Sequence, residues 1–118
     1  MAFSFYHEHK TRSGLPFYDG WAFCSDYSEK YKANMTALKE YEGRYVSPKS
    51  GESIAECAEH NPDKLVYKLD KIGYGRNSYF VKSNPEKLSL SEIALIVDRG
   101  NLCFGYCGST YGVDIYTD

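Results

Sequence analysis

The sequence predicts an α+β domain in which a largely antiparallel sheet, built from hairpins, packs against two or three helices. Segments whose side chains alternate with a period of two flank short turns, which is typical of hairpins. Amphipathic stretches with cap residues at their ends lie between these segments and indicate helices. Hairpins dominate this layout, which favours an antiparallel α+β arrangement over a doubly wound parallel sheet.

Length and composition indicate one compact domain that covers residues 1–118. The apolar fraction of 42% and the charged fraction of 25% are those of a globular protein and exclude wholesale disorder. The net charge is −2, with 14 basic and 16 acidic residues scattered along the chain. Because no basic patch is present to grip a phosphate backbone, the charge pattern argues against nucleic acid as a direct ligand.

The amino-terminal segment gives an expectation about the compartment. It lacks the basic region and the continuous apolar run of a secretory signal. No apolar run anywhere approaches the roughly 20 residues that span a bilayer. We therefore expect a soluble, cytoplasmic protein without a membrane partner, and the sequence does not indicate its oligomeric state.

The first two segments predict a hairpin. "AFSFYHEHK" alternates with a period of two, and "LPFYDGWAFC" repeats the alternation after the turn "TRSG". One face of this hairpin is predicted to carry Phe3, Phe5, His7 and His9 from the first strand, and Phe17, Asp19, Trp21 and Phe23 from the second.

Three helices are predicted from capping signals. Residues 27–42 form the longest one, with Asp26 as the N-cap and Gly43 as a left-handed exit. "ESIAECAEHNP" reads as a short acidic helix that ends at its Asn-Pro pair. Ser89 and Glu92 form a capping box for a short apolar helix that ends at "RG" and is expected to be buried against a sheet.

Two further hairpins complete the predicted fold. Residues 65–69 and 78–82 are expected to pair across a loop that contains "GYG". Residues 102–107 and 111–116 are expected to pair around the turn "GST".

The four cysteines indicate free, buried thiols rather than a site. Cys103 and Cys107 share one face of a predicted strand but lie about 13 Å apart at the rise of a strand, too far for a disulfide or a common zinc ion. Cys24 and Cys57 lie in separate elements and form no CxxC motif.

The sequence "HEH" is the one candidate metal site. His7 and His9 lie on one face of a strand, about 6.6 Å apart along it, and two histidines so placed can bind one metal ion. Asp19, on the facing strand of the hairpin, is the obvious third ligand, and His60 is a more distant one. The plainer interpretation is a solvated strand end beside basic residues.

Other catalytic signatures are missing from the sequence. It contains neither a G-x-S-x-G elbow nor a cysteine-protease context. Its glycine-rich stretches do not follow a strand and open a helix, as a phosphate-binding loop would. No cofactor is therefore expected.

Two tyrosine- and glycine-rich segments, "IGYGRNSYF" at 72–80 and "GYCGSTYGVDIY" at 105–116, suggest a binding surface. The chain has 12 tyrosines, and rigid tyrosine rings among small polar residues are typical of binding paratopes. The plainer alternative is that these rings cover a small sheet, and tyrosines can also stack on a nucleotide. The expected contact residues, for a protein partner, are Tyr74, Arg76, Tyr79, Tyr106 and Tyr111.

In overall style the chain resembles the small inhibitors with which phages and other mobile elements block host defence, such as anti-CRISPR and anti-restriction proteins. This resemblance rests on compactness and the lack of catalytic signatures, not on a motif, and the balanced charge departs from the dense acidity of DNA mimics. It implies stoichiometric binding to a host protein. The first hypothesis is thus a non-enzymatic binding protein, and the second is a small metal-dependent or nucleotide-binding enzyme centred on His7, His9 and Asp19.

Overall fold

The structure is a computed structural model that describes residues 4–22, 24–71, 78–81, 84–105 and 114–117. Within these ranges the chain forms three α-helices and eight β-strands, which confirms the predicted α+β class. The strands are β1 (Ser4–Lys10), β2 (Pro16–Ala22), β3 (Tyr45–Val46), β4 (Leu65–Val66), β5 (Leu69–Lys71), β6 (Ser78–Val81), β7 (Cys103–Gly105) and β8 (Asp114–Thr117). The helices are α1 (Cys24–Lys39), α2 (Ile54–His60) and α3 (Leu90–Val97).

The first sheet has the strand order β1-β2-β7. Strands β1 and β2 form the predicted antiparallel hairpin, and His7 lies directly opposite Asp19. Strand β7 joins the other side of β2 in parallel, with Cys103 opposite Gly20. The hairpin is thus confirmed, with the predicted alternation setting its two faces.

The other strands form two smaller sheets. Strands β3 and β4 pair in parallel and are connected through α2, a short β-α-β unit. Strands β5, β6 and β8 form the third sheet, in that order. The antiparallel β5–β6 pair confirms a second hairpin, but the predicted bounds of its first strand, residues 65–69, are wrong. That strand is Leu69–Lys71, and Leu65 and Val66 pair with β3 instead.

The third predicted hairpin is wrong. Residues 102–107 and 111–116 were expected to pair with each other, whereas β7 pairs with β2 and β8 pairs with β6, both in parallel. Strand β7 occupies the outer edge of β2, and β8 occupies the outer edge of β6. Alternation within a segment predicts a strand but does not select its partner.

Three of the predicted helix-end signals are found in the structure, and the predicted N-cap of α1 is not. Helix α1 begins at Cys24, so Asp26 lies inside the helix and is not its N-cap. Gly43 has a φ of +69°, as the predicted left-handed exit requires. Helix α2 ends before Asn61, as predicted, and α3 has the full capping box between Ser89 and Glu92.

The main hydrophobic core lies where α1 and α3 meet strands β2 and β6. Its buried residues are Phe17, Ala37, Tyr41, Val81, Leu88, Ile93, Leu95, Ile96 and Leu102. None of the described helices is both long enough and apolar enough to cross a membrane.

One polar residue, Asn34 of α1, is fully buried beside this core. Its Oδ1 accepts a hydrogen bond from the Tyr18 N–H at 2.7 Å, and its Nδ2 donates to the carbonyl oxygens of Tyr18 at 2.9 Å and Gly100 at 3.0 Å. Strand β7 begins only at Cys103, opposite Gly20, so the Asn34 amide pairs with the β2 backbone two residues earlier. The Asn34 side chain thus satisfies the backbone N–H and carbonyl of Tyr18 at a position of β2 where β7 does not pair.

Candidate functional site

The β1–β2 hairpin brings His7, His9 and Asp19 together, as the sequence predicts. Strand alternation places the three side chains on one face, and the hairpin register sets Asp19 opposite His7. The His7 Nδ1 donates a hydrogen bond of 3.2 Å to Asp19 Oδ1. The His9 Nε2 lies 3.3 Å from Asp19 Oδ2. These three residues are called the histidine cluster below.

The two histidines differ in solvent exposure. The His7 side chain is 81% exposed, whereas that of His9 is 28% exposed. The His9 ring packs on the fully buried Phe17 with ring centroids 5.2 Å apart. The His9 Nε2 atom is buried and has no hydrogen-bond partner among the described residues, since its approach to Asp19 is not aligned as a hydrogen bond.

In their present positions, no three His, Cys, Asp or Glu side chains of the described residues are arranged to hold a metal ion. The histidine cluster therefore exists as a set of polar contacts, with the Asp19 carboxylate between two imidazoles. His60, the more distant candidate ligand, contacts Glu52 instead, with its Nδ1 at 2.8 Å from Glu52 Oε2.

The predicted tyrosine contact residues fall mostly outside the described residues. Tyr74, Arg76, Tyr106 and Tyr111 belong to this group. Tyr79 lies in β6, the central strand of the β5-β6-β8 sheet. Its register partners are Lys71 in β5 and Ile115 in β8.

The two tyrosine-rich segments run into two strands, β6 and β8, that begin side by side. Ser78, the first residue of β6, pairs with Asp114, the first residue of β8. Residues 72–77 lead into β6, and residues 106–113 lead into β8. Because β6 and β8 are parallel, both strands begin at the same end of the sheet, here called the shared end. The sequence alone did not indicate this neighbourhood, since it predicted a different partner for β8.

A tyrosine and lysine cluster on the opposite face of the β1–β2 hairpin was missed by sequence reasoning. The Lys30 Nζ of α1 lies 4.2 Å from the Tyr18 ring centroid and 5.2 Å from that of Tyr6. The two rings meet edge to face at 6.0 Å. The hairpin register could have revealed the Tyr6–Tyr18 neighbourhood, because residues 6 and 18 are diagonal neighbours on that face.

The turn between β1 and β2 is held by two carboxylates, one just after α1 and one on α3. Glu40, directly after the last residue of α1, accepts hydrogen bonds from Thr11 Oγ1 and Ser13 Oγ, both at 2.6 Å, and from the Ser13 N–H at 2.9 Å. Arg12 Nε donates to Glu92 Oε2 of α3 at 3.1 Å. These contacts fix the hairpin that carries the histidine cluster.

The cleft beside this turn is too small for an organic cofactor. Its volume is about 80 Å³, against the roughly 300 Å³ or more of small-molecule sites. Its walls carry two arginines, Arg12 and Arg44, and two carboxylates, Glu40 and Asp63. The cleft is therefore balanced in charge, which favours neither an anion nor a cation.

Asp98, at the C-cap of α3, has a partly buried carboxyl group whose charged form is poorly solvated. Its Oδ2 is buried and has no hydrogen-bond partner among the described residues, and burial raises the pKa of the carboxyl from 3.8 to about 7. A carboxyl that holds its proton more tightly when folded destabilises the fold as pH rises from about 4 to 7. A negative charge at a helix C-terminus adds to this effect.

Asp98→Asn is therefore expected to raise the free energy of unfolding by about 1 kcal/mol at pH 8, a value reduced for the carboxyl's partial exposure. At pH 4 the variant and the parent protein should be similar in stability. Urea titrations at both pH values check this, with Asp63→Asn at an exposed position as the control. Equal gains at the two pH values would contradict the stated cause.

No protein-family model, curated protein or solved structure matches this chain.

Proposed function

We propose that this protein is a non-enzymatic binding module that acts stoichiometrically on a protein partner through its tyrosine- and glycine-rich segments. The observation that supports this most is the pairing of Ser78 with Asp114, since it brings the starts of β6 and β8 together. Two segments of paratope-like composition then approach one end of one sheet. Binding residues are often found in segments that connect the strands of a sheet.

The chemistry of these segments fits a protein partner. Tyrosine and arginine are enriched among the residues that dominate interface energies, and small polar neighbours adapt hydrogen bonds to the partner. The expected contacts are those of Tyr74, Arg76, Tyr79, Tyr106 and Tyr111. The net charge of −2 does not favour a nucleic acid on this surface.

The proposal extends to inhibition. A small domain that binds stoichiometrically can block a nuclease or its nucleic-acid channel by occupying it. The overall style of the chain, which resembles phage inhibitors of host defence of the anti-CRISPR and anti-restriction type, supports this extension. The soluble, cytoplasmic setting expected from the sequence is compatible with such a role.

The testing experiment captures the partner with the tagged full chain from lysate of the cells that make it, and quantifies bound proteins by mass spectrometry. The partner is then purified and titrated with the protein in a calorimeter. Tyr74→Ala combined with Tyr111→Ala is expected to raise the dissociation constant at least about 100-fold, because each removes a rigid aromatic contact. His7→Ala combined with His9→Ala is the matched control and should change it less than about threefold.

The alternative, a metal-dependent or nucleotide-binding enzyme centred on the histidine cluster, gives the reverse pattern. A partner that binds the tyrosine variant as tightly as the parent protein would contradict the proposed surface. A partner that is lost only in the histidine variant would favour the alternative. Thermal unfolding of each variant shows that a loss of binding does not come from a loss of folding.

A further inference from the structure

We propose that the outer edge of β1 is an interface between two copies of this chain, which pair as antiparallel strands through Glu8 and Lys10. This inference does not depend on the proposed protein-binding function, which uses the shared end of another sheet. It rests on the direction of the β1 backbone groups, on the length and continuity of the strand, and on the placement of two opposite charges.

The hydrogen bonds of the hairpin show which backbone groups of β1 face outwards. In an antiparallel pair, every second residue directs its N–H and carbonyl to the partner strand, and the residues between direct theirs away. The Thr11 N–H donates to the Leu15 carbonyl at 2.8 Å, so the odd-numbered residues of β1 form the hydrogen-bonded pairs with β2. The N–H and carbonyl groups of Glu8 and Lys10 therefore point away from β2.

Strand β2 agrees with this alternation. Tyr18, the register partner of Glu8, donates its N–H to the Asn34 side chain, and its carbonyl accepts from the same amide. Pro16, the register partner of Lys10, has no N–H to donate. Both pairs are therefore non-hydrogen-bonded, and the β1 backbone at these two positions faces the outer edge of the sheet.

Strand β1 is the longest sheet edge in the described part of the chain. It has seven residues, whereas the other edge strands, β3, β4, β5, β7 and β8, have two to four. Its register with β2 runs from Ser4 to Lys10 without a bulge, and it contains no proline. Short length, bulges and proline are common means of protecting an edge from further pairing. Since no described strand lies beyond β1, its backbone can serve as a template for another strand.

The charges of Glu8 and Lys10 select which strand can pair there. The two side chains are exposed, lie on the same face of β1 and form an ion pair of 2.9 Å. Charges on an edge oppose pairing with most strands, because like or unmatched charges then face each other. A second copy that pairs around a two-fold axis at His9 avoids this, since Glu8 of each copy lies opposite Lys10 of the other. Two reciprocal ion pairs then accompany the backbone hydrogen bonds of the same residues.

Other registers of the same two-fold pairing match the charges less well. An axis at Glu8 or at Lys10 sets two like charges directly opposite each other. An axis at His7 sets Glu8 opposite Tyr6 and forms no ion pair. The axis at His9 is therefore the one that the charges favour, and it gives an interface in which both copies use the same surface.

The experiment measures the mass of the full chain by sedimentation velocity from about 5 to 500 µM, a range that covers weak association. A concentration-dependent dimer is expected. Glu8→Lys and Lys10→Glu should each raise its dissociation constant at least about tenfold, because each turns two attractive pairs into repulsive ones. The two variants mixed in equal amounts should form a heterodimer with an affinity within about fivefold of the parent dimer, since lysines then face glutamates. Glu59→Lys, an exposed charge reversal on α2, is the control and should leave the dimer unchanged.

Residue-resolved amide exchange of the parent protein locates the interface without any variant. The N–H groups of Glu8 and Lys10 should exchange at least about tenfold more slowly in the dimer than in the monomer. The proposal is overturned if the chain stays monomeric over the whole range, if a dimer forms without protecting these two amides, or if the mixed variants do not associate. Thermal unfolding shows that the charge variants fold like the parent protein, as expected at exposed positions. Tyr74→Ala combined with Tyr111→Ala should dimerise normally, so a failure of the protein-binding proposal is distinguishable from a failure of this one.

Discussion

Asn34→Ala is expected to lower the free energy of unfolding by about 3 kcal/mol or more. The substitution removes the amide that pairs with the backbone N–H and carbonyl of Tyr18 and with the carbonyl of Gly100. All three backbone groups would lose this partner at a fully buried position, and each buried group without a partner costs about 1–3 kcal/mol. The loss would also loosen β2 on the side that β7 joins.

Urea unfolding at pH 7 measures this change through the transition midpoint and its slope. Thr36→Ala is the matched control, because Thr36 lies on the same helix and is exposed, and among the described residues its hydroxyl donates only to the Lys32 carbonyl in the preceding turn. It should change the stability by less than about 0.5 kcal/mol. A loss below about 1 kcal/mol for Asn34→Ala would show that the amide does not stabilise the sheet as described.

Glu92→Ala is expected to be comparably destabilising, by about 3 kcal/mol at pH 7. Glu92 is buried and accepts hydrogen bonds from the Tyr41 hydroxyl at 2.6 Å, the Ser89 N–H at 2.8 Å and the Arg12 guanidinium at 3.1 Å. Removing the carboxylate leaves the buried Tyr41 hydroxyl without its acceptor and breaks the capping box of α3. It also removes one of the two carboxylates that hold the turn of the hairpin with the histidine cluster.

The effect of Glu92 should depend on pH. Burial acts to raise the pKa of Glu92, but hydrogen bonds from Ser89 and Tyr41, with the charge of Arg12, outweigh it and hold the pKa below 4.5. The stabilisation is therefore complete above about pH 4.5 and is lost as the pH falls through the lower folded value. The difference in free energy of unfolding between the parent protein and Glu92→Ala should therefore become smaller as the pH falls below about 4.5.

The control for Glu92→Ala is Glu56→Ala. Glu56 has the same position after its N-cap, three residues beyond Ser53, but it is exposed and lies on α2. Its replacement should cost less than about 1 kcal/mol and show little dependence on pH. If both variants lose the same stability, the buried network around Glu92 has no special role.

Local signals in the sequence predicted the local parts of the fold. The Ser89–Glu92 spacing predicted the capping box of α3, because both hydrogen bonds of that motif form within four residues. The alternation on either side of "TRSG" predicted the first hairpin and hence the meeting of His7 with Asp19. The histidine cluster was predictable for that reason, since a short turn fixes the register of its strands.

Partner choice between distant strands was not predictable in the same way. Alternation marks β7 and β8 as strands, but their pairing with β2 and β6 depends on which edges the rest of the fold leaves open. The shared end of the β5-β6-β8 sheet follows from this long-range choice.

The buried face of α1 also differs from the predicted one. The sequence spacing predicts one apolar face made of Tyr27, Tyr31, Met35, Leu38 and Tyr41, whereas the buried residues between positions 28 and 41 are Asn34, Ala37 and Tyr41. The face of α1 that packs on β2 therefore includes the polar side chain of Asn34. Residue propensities place asparagine outside a core. Asn34 can be buried because three backbone groups satisfy its amide, and only the structure shows these partners.

The most direct test of the central claim is hydrogen–deuterium exchange of the full chain, alone and with its purified partner. The claim is that both tyrosine-rich segments form one surface at the shared end. We expect slower exchange in peptides covering residues 72–80 and 105–116 together, and no change in peptides covering 45–66. Slower exchange in only one of these two segments, or confined to the β1–β2 hairpin, would contradict the account.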